Sequence, residues 1–107
     1  TGTLTEGVLE VGEVRPLNGA DRDTVLSLAA AAEAGSEHPL ARAVLAAWGR
    51  PALPATDFVA HPGVGVTATV DGTEVRVGSP RFVAVPDDLL REFDRDGLTP
   101  LAVARNG

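Results

Sequence analysis

The residues with the most chemistry in this sequence lie in one short stretch, Gly35-Ser36-Glu37-His38-Pro39-Leu40, between two apolar segments. The stretch brings together a hydroxyl, a carboxylate and an imidazole. Because Pro39 disfavours helical geometry at His38 and suits the first position of a helix, it predicts that one helix ends before His38 and another begins at Pro39. Taken alone, the stretch also fits a helix cap made by Ser36 and Glu37 beside an incidental histidine.

A second stretch that could bind a ligand is the glycine pair of Gly63-Val64-Gly65. With Ala68 it matches the relaxed dinucleotide-binding pattern G-x-G-x-x-A, but that pattern binds pyrophosphate only where it opens a helix. The residues that follow alternate as in a strand, so the dinucleotide interpretation fails. Two glycines still let a ligand approach the backbone closely. The alternative is a tight turn before a strand.

The remaining polar residues do not form a known catalytic pattern. His61 is the only histidine besides His38, and we interpret it as a loop residue because proline and glycine follow it. No G-x-x-x-x-G-K-[ST] phosphate loop occurs, and the motifs predict neither a catalytic residue nor a metal site. Acidic residues near the expected helix starts are interpreted as charges that favour a helix N-terminus, namely Asp21, Asp23, Asp87 and Asp88.

Length and composition restrict the class of protein. A chain of 107 residues can form one domain with a modest core. The net charge of -6 and the pI near 4.7 argue against binding to nucleic acid or to an anionic membrane surface. The lack of cysteine excludes disulfides and thiolate metal sites, and no run of about 18 apolar residues could span a bilayer. Because the chain begins at Thr1, we expect an excised fragment or a processed product.

The hydropathy pattern predicts one strand followed by two helices. Residues 1–7 are interpreted as a loop, and residues 8–14 as a strand in which Gly12 marks a bulge. Apolar residues at i, i+3, i+4 and i+7 predict a helix over 22–34 that ends at Gly35, and then a second helix. The apolar stripes are Val25, Leu28, Ala29 and Ala32 in the first helix, and Leu40, Ala43, Val44 and Ala47, closed by Trp48, in the second.

The second half of the chain predicts a sheet. Asp71-Gly72 separates two alternating apolar runs and is the strongest short-range hairpin signal. Pairing Val70 with Thr73 puts Val66 opposite Val77 on one face. Further elements are expected as a strand over 58–60, a helix that starts at Pro86 with Leu89, Leu90 and Phe93 as its stripe, and a last strand over 101–104. The order predicts an α+β fold with a mainly antiparallel, twisted sheet of about six strands flanked by helices.

Taken together, these stretches resemble the nucleotide-binding domain (N-domain) of heavy-metal-transporting P-type ATPases. The matches occur in the family's order over nearly the whole chain, and the S-E-H-P-L signature is the most specific of them. The matching stretches are Thr1-Gly2-Thr3-Leu4-Thr5 for the end of the D-K-T-G-T-L-T phosphorylation motif, Ser36-Glu37-His38-Pro39-Leu40 for S-E-H-P-L, Gly63-Val64-Gly65-Val66 for the G-x-G loop, and Asp96-Gly97-Leu98-Thr99 with Val103-Ala104 for the return strand.

The resemblance implies an ATP pocket whose base end is formed by the S-E-H-P-L stretch. His38 would lie against the adenine, and Glu33 would bond the base or order the imidazole ring. Glu37 would support the loop. An imidazole face and a carboxylate can recognise a purine by stacking and through its exocyclic amine.

The resemblance places the ribose and phosphates beside the glycine stretch. Gly63 and Gly65 would let them approach the backbone, with Val66 as an apolar wall. Gly78 and Ser79 stand where the family commonly has Gly-Asn, so one polar contact to the nucleotide is shortened to a hydroxyl.

The resemblance also implies a role within a longer protein. Residues 1–7 would be a remnant of the phosphorylation-domain motif and hinge, and residues 8–107 the nucleotide-binding domain, with both chain ends side by side. The chain would bind ATP or ADP without turnover, because the phosphate-accepting aspartate and its lysine would precede Thr1. It would be a monomeric cytoplasmic domain of an integral membrane protein that exports a heavy metal, with copper favoured. Its partners would be the parent's phosphorylation and actuator domains, and Mg²⁺ would accompany ATP in the full-length protein.

Two other functions stay open from the residues. The first is a non-nucleotide module whose His38 corner binds a protein or a metal ion. The second is a self-sufficient phosphohydrolase, which would need an aspartate upstream of Thr1.

Overall fold

A computed structural model of the chain describes residues 3–10, 13–36, 39–83, 88, 91 and 101–106. They form a six-stranded sheet in the order β2-β1-β6-β5-β4-β3, in which every neighbouring pair is antiparallel. The predicted α+β class is confirmed. The elements are β1 Thr3–Glu10, β2 Glu13–Pro16, α1 Arg22–Glu33, α2 Pro39–Trp48, β3 Thr56–His61, β4 Gly65–Val70, β5 Thr73–Gly78, α3 Pro80–Val83 and β6 Leu101–Asn106.

The hairpin of β4 and β5 has the predicted register. Val66 pairs with Val77, and Val70 pairs with Thr73. Asp71 and Gly72 form the turn between them with φ angles of 51° and 76°. Positive φ at both central residues is what a two-residue type I′ turn requires, and it explains why Asp-Gly predicts the hairpin so well.

The prediction for the first residues of the chain is wrong. The expected loop over 1–7 and single strand over 8–14 are replaced by two strands, β1 and β2, that pair with each other. β1 also pairs with β6, and Thr3 lies opposite Asn106, so the prediction that the chain ends lie side by side is confirmed. The strand partner of residues 3–7 is some hundred residues away in sequence, and a local pattern does not reveal it. Gly12 lies outside the described residues.

The main core lies between one face of the sheet and α1. The predicted stripe of α1 is confirmed, because Val25, Leu28, Ala29 and Ala32 are all buried. This helix crosses the sheet. Near its start, Val25 touches Gly7 of β1, and Phe58 of β3 lies against Gly35, just beyond its end. The end of α1 therefore lies over the β3 edge.

The stripe predicted for α2 is partly wrong. Ala43 and Ala47 are exposed, and Ala41 is buried in their place, together with the predicted Val44. α2 packs mainly against α1 and not against the sheet, so a narrow face suffices to bury it. Because alanines stand on both sides of that face, the sequence does not distinguish the two phases.

A second, smaller core lies on the opposite face of the sheet. Val8, Val83, Ala102 and Ala104 are buried there, and Phe82 packs against them. Phe82 and Val83 belong to the short helix α3, which the sequence did not predict. Of the helix predicted from Pro86 onward, including Leu89, Leu90 and Phe93, only Asp88 and Arg91 are described, and both are helical. Among the described residues, no helix is long and apolar enough to cross a membrane.

Candidate functional site

The glycine stretch forms a tight turn, residues 62–64, between β3 and β4, and Gly65 is the first residue of β4. The Val64 N–H donates to the His61 carbonyl over 3.0 Å, and Gly63 has a φ angle of 81°. No heavy atom lies within 4 Å of the place where a β-carbon on Gly63 would stand. The backbone is therefore open to a ligand at Gly63. We call residues 62–65 the glycine loop.

Two stretches that are distant in sequence meet at this loop. Gly65 pairs with Gly78 across the hairpin, and the Ser79 N–H donates to the Val64 carbonyl over 2.8 Å. The predicted residues Gly63, Gly65 and Val66 therefore lie beside the predicted residues Gly78 and Ser79. The structure joins these two parts of the predicted site into one surface.

Close packing explains why both paired residues are glycines. A β-carbon on Gly65 would lie 2.7 Å from the Cα of Gly78, and one on Gly78 would lie 2.8 Å from the Cα of Gly65. The ring of Phe82 also lies about 3 Å from both positions. Gly65 and Gly78 are thus needed for the strand pair itself, whereas the space at Gly63 is free.

The side chains of Ser79 and Val66 are both engaged by the protein. Ser79 Oγ accepts a hydrogen bond from the Phe82 N–H over 3.3 Å, which caps α3. The hydroxyl still has its own proton to donate. Val66 is buried in the main core. Its predicted role as an apolar wall stays a prediction.

The other half of the predicted site begins at the end of α1. Glu33 is the last residue of that helix and only 5 % exposed, and its carbonyl accepts a hydrogen bond from the Ser36 N–H over 2.9 Å. The predictions for Glu37 and His38 lie outside the described residues. Because α1 ends over the β3 edge, Ser36 lies on the side of the sheet that carries β3 and β4.

The interpretation of His61 as a loop residue is wrong. His61 is the last residue of β3, where it pairs with Gly65. Its half-buried ring lies 5.1 Å from the ring of Phe82, and Nε2 lies 3.3 Å from Oγ1 of Thr67. The strand thus includes His61 although Pro62 and Gly63 follow it. The turn begins only after His61, and it closes at Val64, whose N–H donates to the His61 carbonyl. Among the described residues, no group of three histidine or acidic side chains could hold a metal ion.

Two aromatic residues at the site were missed by the sequence reasoning. Phe58 lies against Gly35 and Phe82 lies over the Gly65–Gly78 pair, so each covers a glycine from a distant part of the chain. The chain has only three phenylalanines. Their scarcity was the one available signal, and it does not say which glycine each ring covers.

Similar proteins agree on the class of this domain. No protein-family model matches the chain. Its structure is similar to the crystal structure of the N-domain of HMA8, a copper-transporting P-type ATPase, with a TM-score of 0.63, 20 % identity and coverage of 97 % of this chain and 99 % of that one. It is also similar to the catalytic domain of the CPx-ATPase CopB-B, solved in a study of its conformational changes upon nucleotide binding (TM-score 0.52, 22 % identity, 72 % of this chain and 27 % of that one). The fold is that of a P-type ATPase N-domain.

Sequence comparison identifies the family. The chain is 41 % identical over its full length to copper-transporting ATPase 1 of Rhizobium meliloti (strain 1021), and 46 % identical over its full length to a probable cobalt/nickel-exporting P-type ATPase of Mycolicibacterium smegmatis. It belongs to the heavy-metal-transporting P-type ATPases. It spans 14 % and 17 % of these two relatives. Because a copper and a cobalt/nickel transporter are similarly close, the preference for copper stays a prediction.

Proposed function

We propose that this chain binds ATP in a pocket formed by the glycine loop, the adjoining Gly78-Ser79 and the stretch from Glu33 to His38. The observation that carries the proposal is the junction at Val64, where the Ser79 N–H meets the loop carbonyl beside the open Gly63. This junction supports a continuous backbone surface for the ribose and phosphates. The N-domain fold supports the same proposal, because the similar catalytic domain of the CPx-ATPase CopB-B changes conformation upon nucleotide binding.

The base end of the pocket is assigned to His38 and Glu33, with Glu37 as the support of the loop. The buried position of Glu33 favours a role in ordering a neighbouring group, because a carboxylate with little exposed surface acts through fixed hydrogen bonds. We assign binding and not catalysis to these residues. The 107-residue chain is then expected to bind ATP or ADP without turning it over.

In a longer protein, the domain would present the γ-phosphate of ATP to an aspartate on an adjoining phosphorylation domain, with Mg²⁺ bound to the nucleotide. The side-by-side strands at Thr3 and Asn106 support such an arrangement, because two adjacent strand ends can both connect to one neighbouring domain. The parent protein would export a heavy-metal ion across a membrane, with this domain on the cytoplasmic side and the actuator domain as a further partner. Whether residues 1–7 belong to the hinge stays a prediction.

The experiment that tests ATP binding is a titration followed by two-dimensional amide NMR. Wild type is compared with His38→Gln and with His61→Gln, a matched control that changes the other histidine. We expect shifts at Glu33, His38 and residues 63–66 in wild type and in the control, and much weaker binding in His38→Gln. Absence of shifts at millimolar ATP would refute nucleotide binding, and equal loss in both variants would refute the role of His38.

A further inference from the structure

The ring of Phe58 lies flat on the backbone of Gly35. A β-carbon on Gly35 would stand 3.0 Å from Cγ and Cδ1 of this ring and 3.2 Å from Cδ2. Three nearly equal distances mean that the face of the ring, not its edge, covers the glycine. Gly35 is not among the glycines with positive φ, and the helix ends at Ala34 in right-handed geometry. The glycine at position 35 therefore serves no left-handed cap, and a β-carbon there would require the Phe58 ring to move by a few tenths of an ångström.

The strand that carries Phe58 is irregular at that place. Its pairing with β4 shifts between Thr56 and Val59, and Asp57 has a φ angle of 53°. A bulge of this kind re-aims the side chains of an edge strand. Phe58 remains 38 % exposed and Val59 is 48 % exposed. Phe58 is therefore not part of the buried core, and its ring contacts Gly35 in the turn after α1.

We propose that Phe58 is a positioning residue of the nucleotide site. By holding Gly35 on β3, it fixes the point from which the chain continues into Ser36, Glu37 and His38. The bulge at Asp57 sets the direction of the ring, and the missing side chain of Gly35 lets the two backbones approach. This inference rests on the proposed ATP site, and it assigns to Phe58 an effect on nucleotide affinity that is exerted through His38.

The test combines Phe58→Ala with His38→Gln and measures ATP affinity by NMR titration. Phe58→Ala is expected to weaken binding about tenfold, and to have less than about a twofold effect when His38 is already glutamine. Phe58→Tyr, which keeps the ring, is expected to bind as wild type. The matched control is Val59→Ala, which truncates the exposed neighbour on the same strand and is expected to leave affinity unchanged.

Gly35→Ala provides a second variant that keeps Phe58 but forces its ring away from the backbone. It should weaken binding by a similar factor, and unchanged amide shifts in β4 and β5 would show that the sheet is intact. The inference is overturned if Phe58→Ala binds ATP within about twofold of wild type, or if its effect and that of His38→Gln multiply in the double variant. Failure of wild type to bind ATP would instead refute the proposed function.

Discussion

The strands at the chain ends and the strands around the glycine loop are built in different ways. β1 and β6 lie in the interior of the sheet and carry buried side chains on both faces, among them Val8, Ala102 and Val103. β3 is the sheet edge, and all its residues except His61 are exposed. Side chains buried on both faces stabilise the first region. In the second region β4 buries side chains on one face only, and close backbone contacts at glycines shape its loop.

An ion pair with one buried partner, Glu6, adds to this difference. Arg105 Nε lies 2.6 Å from Oε1 of Glu6, whose side chain is 3 % exposed, and the pair joins β6 to the bulge of β1. The backbone at the bulge is also bonded, since the Leu17 N–H donates to the Glu6 carbonyl and the Asn18 side chain donates to the Thr5 carbonyl. The comparison indicates a firmly held strand pair at the chain ends, and a glycine loop whose backbone is accessible at Gly63.

The largest expected effect comes from a side chain added at the glycine pair. Gly78→Ala would place a β-carbon against the Val64 carbonyl and 2.8 Å from the Gly65 Cα, so we expect a loss of about 3 kcal/mol in the free energy of unfolding. Gly63→Ala meets no atom within 4 Å and is strained only by its positive φ, which costs about 1 kcal/mol. Urea denaturation of both variants measures the difference. Equal losses would contradict the assignment of separate roles to the two glycines.

The next effect compares two ion pairs. Glu6→Gln removes the charge of Glu6, the buried partner of the 45 % exposed Arg105. We expect it to lower the free energy of unfolding by about 1.5 kcal/mol. The matched control is Glu74→Gln, which breaks the pair with Arg76 at 2.9 Å, where both side chains are partly exposed, and should cost less than about 0.5 kcal/mol. Unfolding free energies with and without Arg105→Met give the coupling energy. A coupling no larger than that of the exposed pair would show that burial does not strengthen it.

The same contrast explains which parts of the fold the sequence could predict. The β4–β5 hairpin follows from Asp71-Gly72 and local alternation, and α1 follows from its stripe and its cap at Asp21. The pairing of β1 with β6, and of Phe58 with Gly35, joins residues that are far apart in sequence. Local patterns contain no information about such pairs, so residues 3–7 were misread as a loop. For the site, the resemblance supplied the residues. The predicted hairpin register continues from the Val66–Val77 pair to Gly65–Gly78, and the structure adds the hydrogen bond between Ser79 and Val64.

A smaller effect is expected at Ser79 of the proposed pocket, where the family commonly has asparagine. Ser79→Asn keeps a side chain that can cap α3 and adds an amide donor toward the nucleotide, so we expect ATP affinity to rise about threefold. Ser79→Ala removes the hydroxyl and should lower affinity by a similar factor. Isothermal titration of both variants measures the change. If the two bind ATP equally, the polar group at this position makes no contact with the nucleotide.

The smallest effect concerns the start of α1, which lies over β1 and not over the strands that carry the glycine loop. Asp21 accepts a hydrogen bond from the Thr24 N–H over 2.7 Å, and this backbone bond, followed by the side-chain bond to Thr24, holds the pKa of Asp21 below its ordinary 3.8. Because the pKa of Asp21 is lower in the folded state than in the unfolded chain, the ionised carboxylate stabilises the fold above pH 3.8. This stabilisation is lost as the pH falls through the lowered pKa.

Asp21→Asn isolates that contribution, since asparagine is an equally good cap without the charge. Melting temperatures of wild type and variant should differ slightly near neutral pH and converge as the pH falls below 3.8. Asp23→Asn is the matched control, because Asp23 is an acidic residue in the first turn of the same helix and is not its N-cap. A difference between wild type and Asp21→Asn that persists unchanged in acid would mean that the charge of Asp21 does not stabilise the helix. ATP affinity should be the same in all three proteins, because the start of α1 lies over β1 and the proposed pocket lies at β3 and β4.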